Sequence, residues 1–203
     1  MILIGITGGV GCGKSEVLRY LEQTYNARVL LADDVANMLK EPGMPCYEPV
    51  IECLGEQIIG EDGKIDKGKM AQAIFSDRSK LEEVNAIIHP EVRRYIEQEI
   101  VRERKIKMFG FFFLEAALLI EEHYDELLDE MWYVYADEAV RRERLRVSRG
   151  YSEEKIDSIM SKQLSEAAFR DACDFVLDNS DSFEETKKKI DEKMGVYLCR
   201  EQM

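Results

Sequence analysis

Residues 2–21, ILIGITGGVGCGKSEVLRYL, restrict the architecture more than any other stretch of this chain. An apolar run of strand length at 2–6 leads into Gly8, Gly13, Lys14 and Ser15, which satisfy the pattern G-x-x-x-x-G-K-[ST]. Val17, Leu18, Leu21 and Tyr25 then recur at helical spacing, so a helix is expected from Lys14 onward. A strand, a glycine loop and a helix N-terminus in that order make a phosphate cradle. The glycines permit positive φ and close backbone approach, successive N–H groups turn toward an anion, and the helix end adds partial positive charge. Lys14 is expected to neutralise the β- and γ-phosphates of ATP, and the Ser15 hydroxyl to ligate Mg2+. The candidate nucleotide-binding residues are Gly11, Cys12, Gly13, Lys14, Ser15 and Glu16.

Further apolar runs of strand length occur at 28–32, 109–114, 131–136 and 174–178, separated mostly by helical patterns. Alternation of this kind implies an α/β fold with a parallel sheet, and the unbroken hydrophobicity of the runs implies strands covered on both faces. Ligands in such sheets lie beyond the carboxyl ends of the strands. Attention therefore falls on 7–15, 33–34, 115–121, 137–149 and 179–181. The interval 41–108 is too long for a simple crossover. It carries EPGMP, a turn-rich EDGK and helical stretches near 67–76, 79–88 and 91–105, with Asp66 a candidate N-cap, and reads as a helical insertion.

Composition narrows the function classes. The 203 residues can bury one substantial core, and the formal net charge of −13 argues against a nonspecific nucleic-acid binder, which needs a basic footprint. Cys12, Cys46, Cys53, Cys173 and Cys199 form no C-x-x-C pair, and with two histidines they suit neither a zinc site nor a disulfide framework. Free thiols fit a reducing compartment, and no apolar run reaches membrane-spanning length, so a cytoplasmic protein without a membrane partner is expected. Oligomeric state is left open.

Against this acidic background, RRERLRVSR at 141–149 places arginines at 141, 142, 144, 146 and 149, just after the fourth apolar run. Individually they suit a solvated helix face. As a cluster they suit a lid that closes over phosphates. No N-K-x-D is present to read guanine, and a small-molecule kinase is the simplest account. Such an enzyme needs a group to orient the acceptor hydroxyl and take its proton. Asp33 and Asp34, at the carboxyl end of the second run, are the candidates. The alternatives are a kinase for another small acceptor, such as a nucleoside or nucleotide, and a noncatalytic nucleotide-binding protein.

GITGGVGCGKS, LLADDVANMLKEPG, DGKIDKGKMAQAIF, NAIIHP, EAALLIE and FVLDNS occur in an order that resembles the dephospho-CoA kinases. The likeness covers nearly the whole chain and is least informative after about residue 182. It implies a P-loop kinase fold with a five-stranded parallel sheet. Residues 1–40, 109–140 and 170–203 would form the nucleotide-binding core, 41–108 a helical substrate-binding insertion and 141–169 a helical lid. It also implies phosphorylation of the ribose 3′-hydroxyl of dephospho-CoA by ATP. The family's D-A-D falls on Leu31-Ala32-Asp33, which makes Asp33 the expected base over Asp34, and its H-P pair falls on His89-Pro90, expected to contact substrate. The family usually has an arginine where Ser148 stands, two residues before Gly150. Arg149 is then the expected transfer-stabilising residue, with Arg144 the other candidate. Ala117 replaces a proline, Glu16 a threonine and Cys12 a serine. Cys12 is read first as a small residue filling that serine position; its place beside Lys14 at a helix N-terminus also raises a second reading, a thiol that reacts readily when the loop is empty.

Overall fold

The computed structural model describes residues 1–200. The chain divides into two compact units, one of Met1–Val29 with the described residues from Phe109 on, the other of Leu30–Met108.

The first unit is built on strands β1 (Ile2–Thr7), β2 (Ala27–Leu31), whose end passes into the second unit, β3 (Phe111–Glu115), β4 (Glu130–Tyr135) and β5 (Phe175–Asp178). They form one five-stranded sheet in the order β2-β3-β1-β4-β5. β1 runs parallel to β3, with Ile2 opposite Phe111 and Ile6 opposite Glu115, and parallel to β4, which runs parallel to β5. The unbroken apolar runs have the expected cause. Leu3, Ile4, Ile6, Phe112, Phe113 and Leu114 are all fully buried, although neighbours in a strand face opposite sides of the sheet. Trp132 seals one side, edge-on to Phe113 at 6.1 Å and to Phe175 at 5.0 Å. Each such side chain contributes about 1.5–3 kcal/mol by leaving water.

Helix α1 (Lys14–Thr24) follows β1 and buries Val17, Leu18 and Leu21, the stripe read from the sequence. In the second unit α2 (Ala32–Met38) and α3 (Tyr47–Leu54) precede α4 (Lys67–Ser76) and α5 (Arg78–Ile106). Asp66 caps α4, accepting from Lys69 N at 2.8 Å, and Asp77 caps α5 through Ser79 N at 2.9 Å. The two helical stretches expected at 79–88 and 91–105 are one 29-residue helix with Pro90 inside it. A proline in mid-helix costs about 3 kcal/mol. Val84, Ile88, Val92, Ile96 and Ile100 carry one buried stripe across it, against which α2, α3 and α4 pack, and this tertiary burial outweighs the local cost. After β4 come α6 (Glu138–Arg149), α7 (Glu153–Met160) and α8 (Glu166–Ala172), and after β5 α9 (Phe183–Arg200). No helix among the described residues is long and apolar enough to cross a membrane.

Candidate active site

Three carbonyls of the loop between β1 and α1 are held by side chains. Lys14 Nζ donates to Gly8 O at 2.7 Å, and Arg141 Nε to Val10 O at 2.9 Å. Cys12 O accepts from Asn179 Nδ2 at 2.8 Å and from Arg144 Nη1 at 3.3 Å. Among the described residues, the N–H groups of Gly11, Gly13, Lys14 and Ser15 take no hydrogen bond in the protein. Unpaired donors leading into a helix N-terminus form an anion-binding concavity. Gly13 is required twice over: its φ is 94°, and a Cβ there would collide with Asn179 Nδ2.

The restraining groups are themselves fixed. Asn179 stands at the carboxyl end of β5, 1% exposed, and its Oδ1 accepts from Thr186 Oγ1 of α9 at 2.8 Å. Arg144 Nη2 donates to Asn179 O at 2.9 Å. Gln163, between α7 and α8, accepts from both Val10 N at 3.1 Å and Arg141 Nη2 at 2.8 Å. Lys14 Nζ lies 3.7 Å from Glu115 Oε1, with both side chains mostly buried (17% and 16% exposed), at the carboxyl end of β3. Lys14 is thus held over the loop by a carbonyl on one side and a carboxylate on the other. Ser15 and Glu16 are exposed on the first turn of α1.

The five arginines of α6 divide by helical phase. Arg141 and Arg144 share a face with the buried Leu145 and meet the loop. Arg142 ties α6 to α7, donating to Glu138 at 2.8 Å, Glu153 at 3.1 Å and Asp157 at 2.6 Å. Arg146 pairs with Glu143, and Arg149 lies exposed with its guanidinium 5.9 Å from the Tyr151 ring centroid. Ser148 continues the loop-facing row, whereas Arg149 is turned about 100° from it, the angular step of an α-helix. The structure therefore brings Arg144, not Arg149, to the loop.

Cys12 is 1% exposed and its sulfur packs beside Gly8. That burial agrees with the first reading of Cys12, a small residue filling the turn. Asn179 and Gln163 were not singled out as individual residues in the sequence. Asn179 lies in the stretch following the fifth apolar run, where position gave the signal. Gln163 lies in a segment without any motif, and only folding reveals its double contact.

In the second unit Asp33 and Asp34 lie exposed in the first turn of α2, and His89 is partly exposed in α5 one residue before Pro90. Asp33 shares a face of α2 and the following turn with Asn37 and Lys40, at i, i+4 and i+7. Asn37 and Lys40 line a cleft of about 340 Å³ with Glu41, Asp62, Lys64, Ile65, Asp66, Lys67 and Met70.

A protein-family model described as dephospho-CoA kinase matches residues 2–185. A dephospho-CoA kinase of Carboxydothermus hydrogenoformans is 36% identical over 188 residues, covering 93% of this chain and 90% of that one. A solved structure of a Thermus thermophilus protein superposes with a TM-score of 0.79 at 30% identity, covering 96% of each chain. A dephospho-CoA kinase from Campylobacter jejuni has the same fold, with a TM-score of 0.73 at 18% identity, covering 99% of this chain and 98% of that one. With a phosphate loop held in this way and a match over nearly its whole length, the chain belongs to the dephospho-CoA kinase family.

Proposed function

We propose that this protein transfers the γ-phosphoryl group of ATP to the ribose 3′-hydroxyl of dephospho-CoA, yielding coenzyme A and ADP. The observation that carries the reading is the loop itself: four N–H groups without a partner lead into a helix N-terminus beside the Lys14 ammonium, in a chain whose relatives are dephospho-CoA kinases.

Each residue's role follows from its chemistry. The N–H groups of Gly11, Gly13, Lys14 and Ser15 hold the phosphate oxygens, with Cys12 and Glu16 completing the turn. When ATP enters, Lys14 exchanges its contact with Gly8 O for the β- and γ-phosphates and neutralises charge that grows toward the transition state. Among the described residues no cluster of three or more His, Cys, Asp or Glu side chains could cage a metal. Mg2+ keeps waters and binds through phosphates plus one or two protein oxygens, and the exposed Ser15 hydroxyl at the start of α1 would hold it. Mg2+ would supply charge neutralisation on the phosphates. Asp33 accepts the proton of the 3′-hydroxyl and orients it in line. Its phase on α2, facing the cleft side with Asn37 and Lys40, supports it over Asp34. Residues 41–108, with His89 among them, take the acceptor, and 141–169 act as the lid. Arg144 grips the loop, and Arg149 at the exposed end of α6 is the candidate to meet the transferring group. A cytoplasmic location suits this chemistry and the free thiols.

Asp33→Asn tests the base. Turnover should fall by about 10²–10⁴-fold, the usual contribution of a positioned base, with ATP affinity little changed. Near-wild-type turnover would remove Asp33 from the mechanism.

A further inference from the structure

The cleft of the second unit has its own charge logic. It is lined by three lysines and three carboxylates, but the carboxylates are engaged. Glu41 pairs with Lys64 at 2.6 Å, Asp62 accepts from Lys64 N at 3.1 Å, and Asp66 is the N-cap of α4. Among the described residues neither Lys40 nor Lys67 forms an ion pair. Burial, then repulsion from Lys67, depresses the proton affinity of Lys40 below that of an ordinary lysine, against the opposite pull of Cys46 and Asp33. Two cations, one partly buried, are thus held close enough to repel, with no carboxylate assigned to them. A dianion bound between the two ammonium groups would offset their mutual repulsion.

Spacing identifies the dianion. Asp33 and Lys40 lie on one face of α2 and its following turn, seven residues apart, which is about 10 Å along a helix. In a nucleotide acceptor, the sugar ring and its 5′-carbon keep the 3′-hydroxyl somewhat closer than this to the diphosphate, and the long Lys40 side chain can span the difference. We infer that Lys40 and Lys67 form a diphosphate-binding subsite. It seats the ADP-like part of the acceptor in the cleft and sets its 3′-hydroxyl at Asp33, so that it selects acceptors carrying a 5′-diphosphate. This rests on the acceptor reading above and extends it to particular residues.

Lys40→Met and Lys67→Met should each raise KM for dephospho-CoA by about tenfold, the scale of one charge-assisted contact, and leave KM for ATP within about twofold. Lys40→Arg should restore most of the loss. An unchanged KM for dephospho-CoA in both Met variants, or an equal rise in KM for ATP, would overturn the subsite. Lysine acetylation of the wild-type protein read by mass spectrometry gives the second arm. Inorganic pyrophosphate and dephospho-CoA should protect Lys40 and Lys67, while MgATP should protect Lys14 and leave those two exposed. If the wild type failed to phosphorylate dephospho-CoA yet pyrophosphate still protected both lysines, the acceptor would be wrong and the diphosphate subsite would stand. If dephospho-CoA were turned over without protecting them, the subsite alone would fall.

Discussion

Asn179 offers a quantitative test of how the phosphate loop is held. Its side chain makes two buried hydrogen bonds of 2.8 Å, donating to Cys12 O and accepting from Thr186 Oγ1. Alanine removes both. Neither partner is wholly stranded, because Cys12 O keeps Arg144 Nη1 at 3.3 Å and Thr186 Oγ1 keeps a long contact to Ser182 O at 3.4 Å. A buried group left unsatisfied costs about 1–3 kcal/mol, so two partly compensated losses amount to about 2–4 kcal/mol. For a chain of this size that is a fall in Tm of roughly 5–15 °C. The loop should also lose one restraint on its backbone at Cys12 O, so that KM for ATP rises by about tenfold, or ~1.4 kcal/mol. Calorimetry and steady-state kinetics with varied ATP measure the two effects separately. A Tm within about 1 °C of wild type together with an unchanged KM for ATP would refute the claim that Asn179 holds the loop.

Other consequences follow from the same geometry. Lys14→Ala should remove about 3–4 kcal/mol of transition-state stabilisation, a loss of about 10²–10³ in kcat, checked by single-turnover kinetics with saturating ATP. Arg144→Ala should lower both Tm and ATP affinity, because the side chain bridges Cys12 O and Asn179 O, whereas Arg149→Ala should lower kcat with Tm unchanged; a Tm loss in the Arg149 variant would place it in the scaffold instead. Mass-resolved alkylation of the nucleotide-free protein should label the exposed Cys199 first and Cys12 slowly. Cys173, whose thiol burial and the neighbouring Asp174 push up to about 11, should react faster as pH rises toward that value, since only the thiolate attacks. Rapid labelling of Cys12 would show that the loop opens far more than its packing implies.

Much of the fold was legible because the strands of a parallel sheet, buried on both faces, read as unbroken apolar runs, and the loop announced itself by pattern and by its place after the first run. Pro90 misled because its local cost is visible in sequence, while the buried stripe that overrides it needs three other helices to have meaning. The arginine cluster was visible as charge. Its division among loop, carboxylates and solvent depends on helical phase and on what packs where, which placed Arg144 on Cys12 O and left Arg149 outside. For Cys12, proximity in sequence to Lys14 raised a reactive thiol as the second reading, while its burial agrees with the first, a small filler. Gln163 carried no signal, since a glutamine between two short helices is ordinary until its amide oxygen is seen to join Val10 N and Arg141.

The most direct test is to incubate the wild-type protein with MgATP and dephospho-CoA and follow ADP release while identifying the phosphorylated product by 31P NMR. The account predicts coenzyme A phosphorylated at the ribose 3′-position and ADP in equal amounts, with transfer lost in Asp33→Asn. Tight ATP binding without any 3′-phosphorylated product, or preferential phosphorylation of a nucleoside in a competing panel, would contradict it.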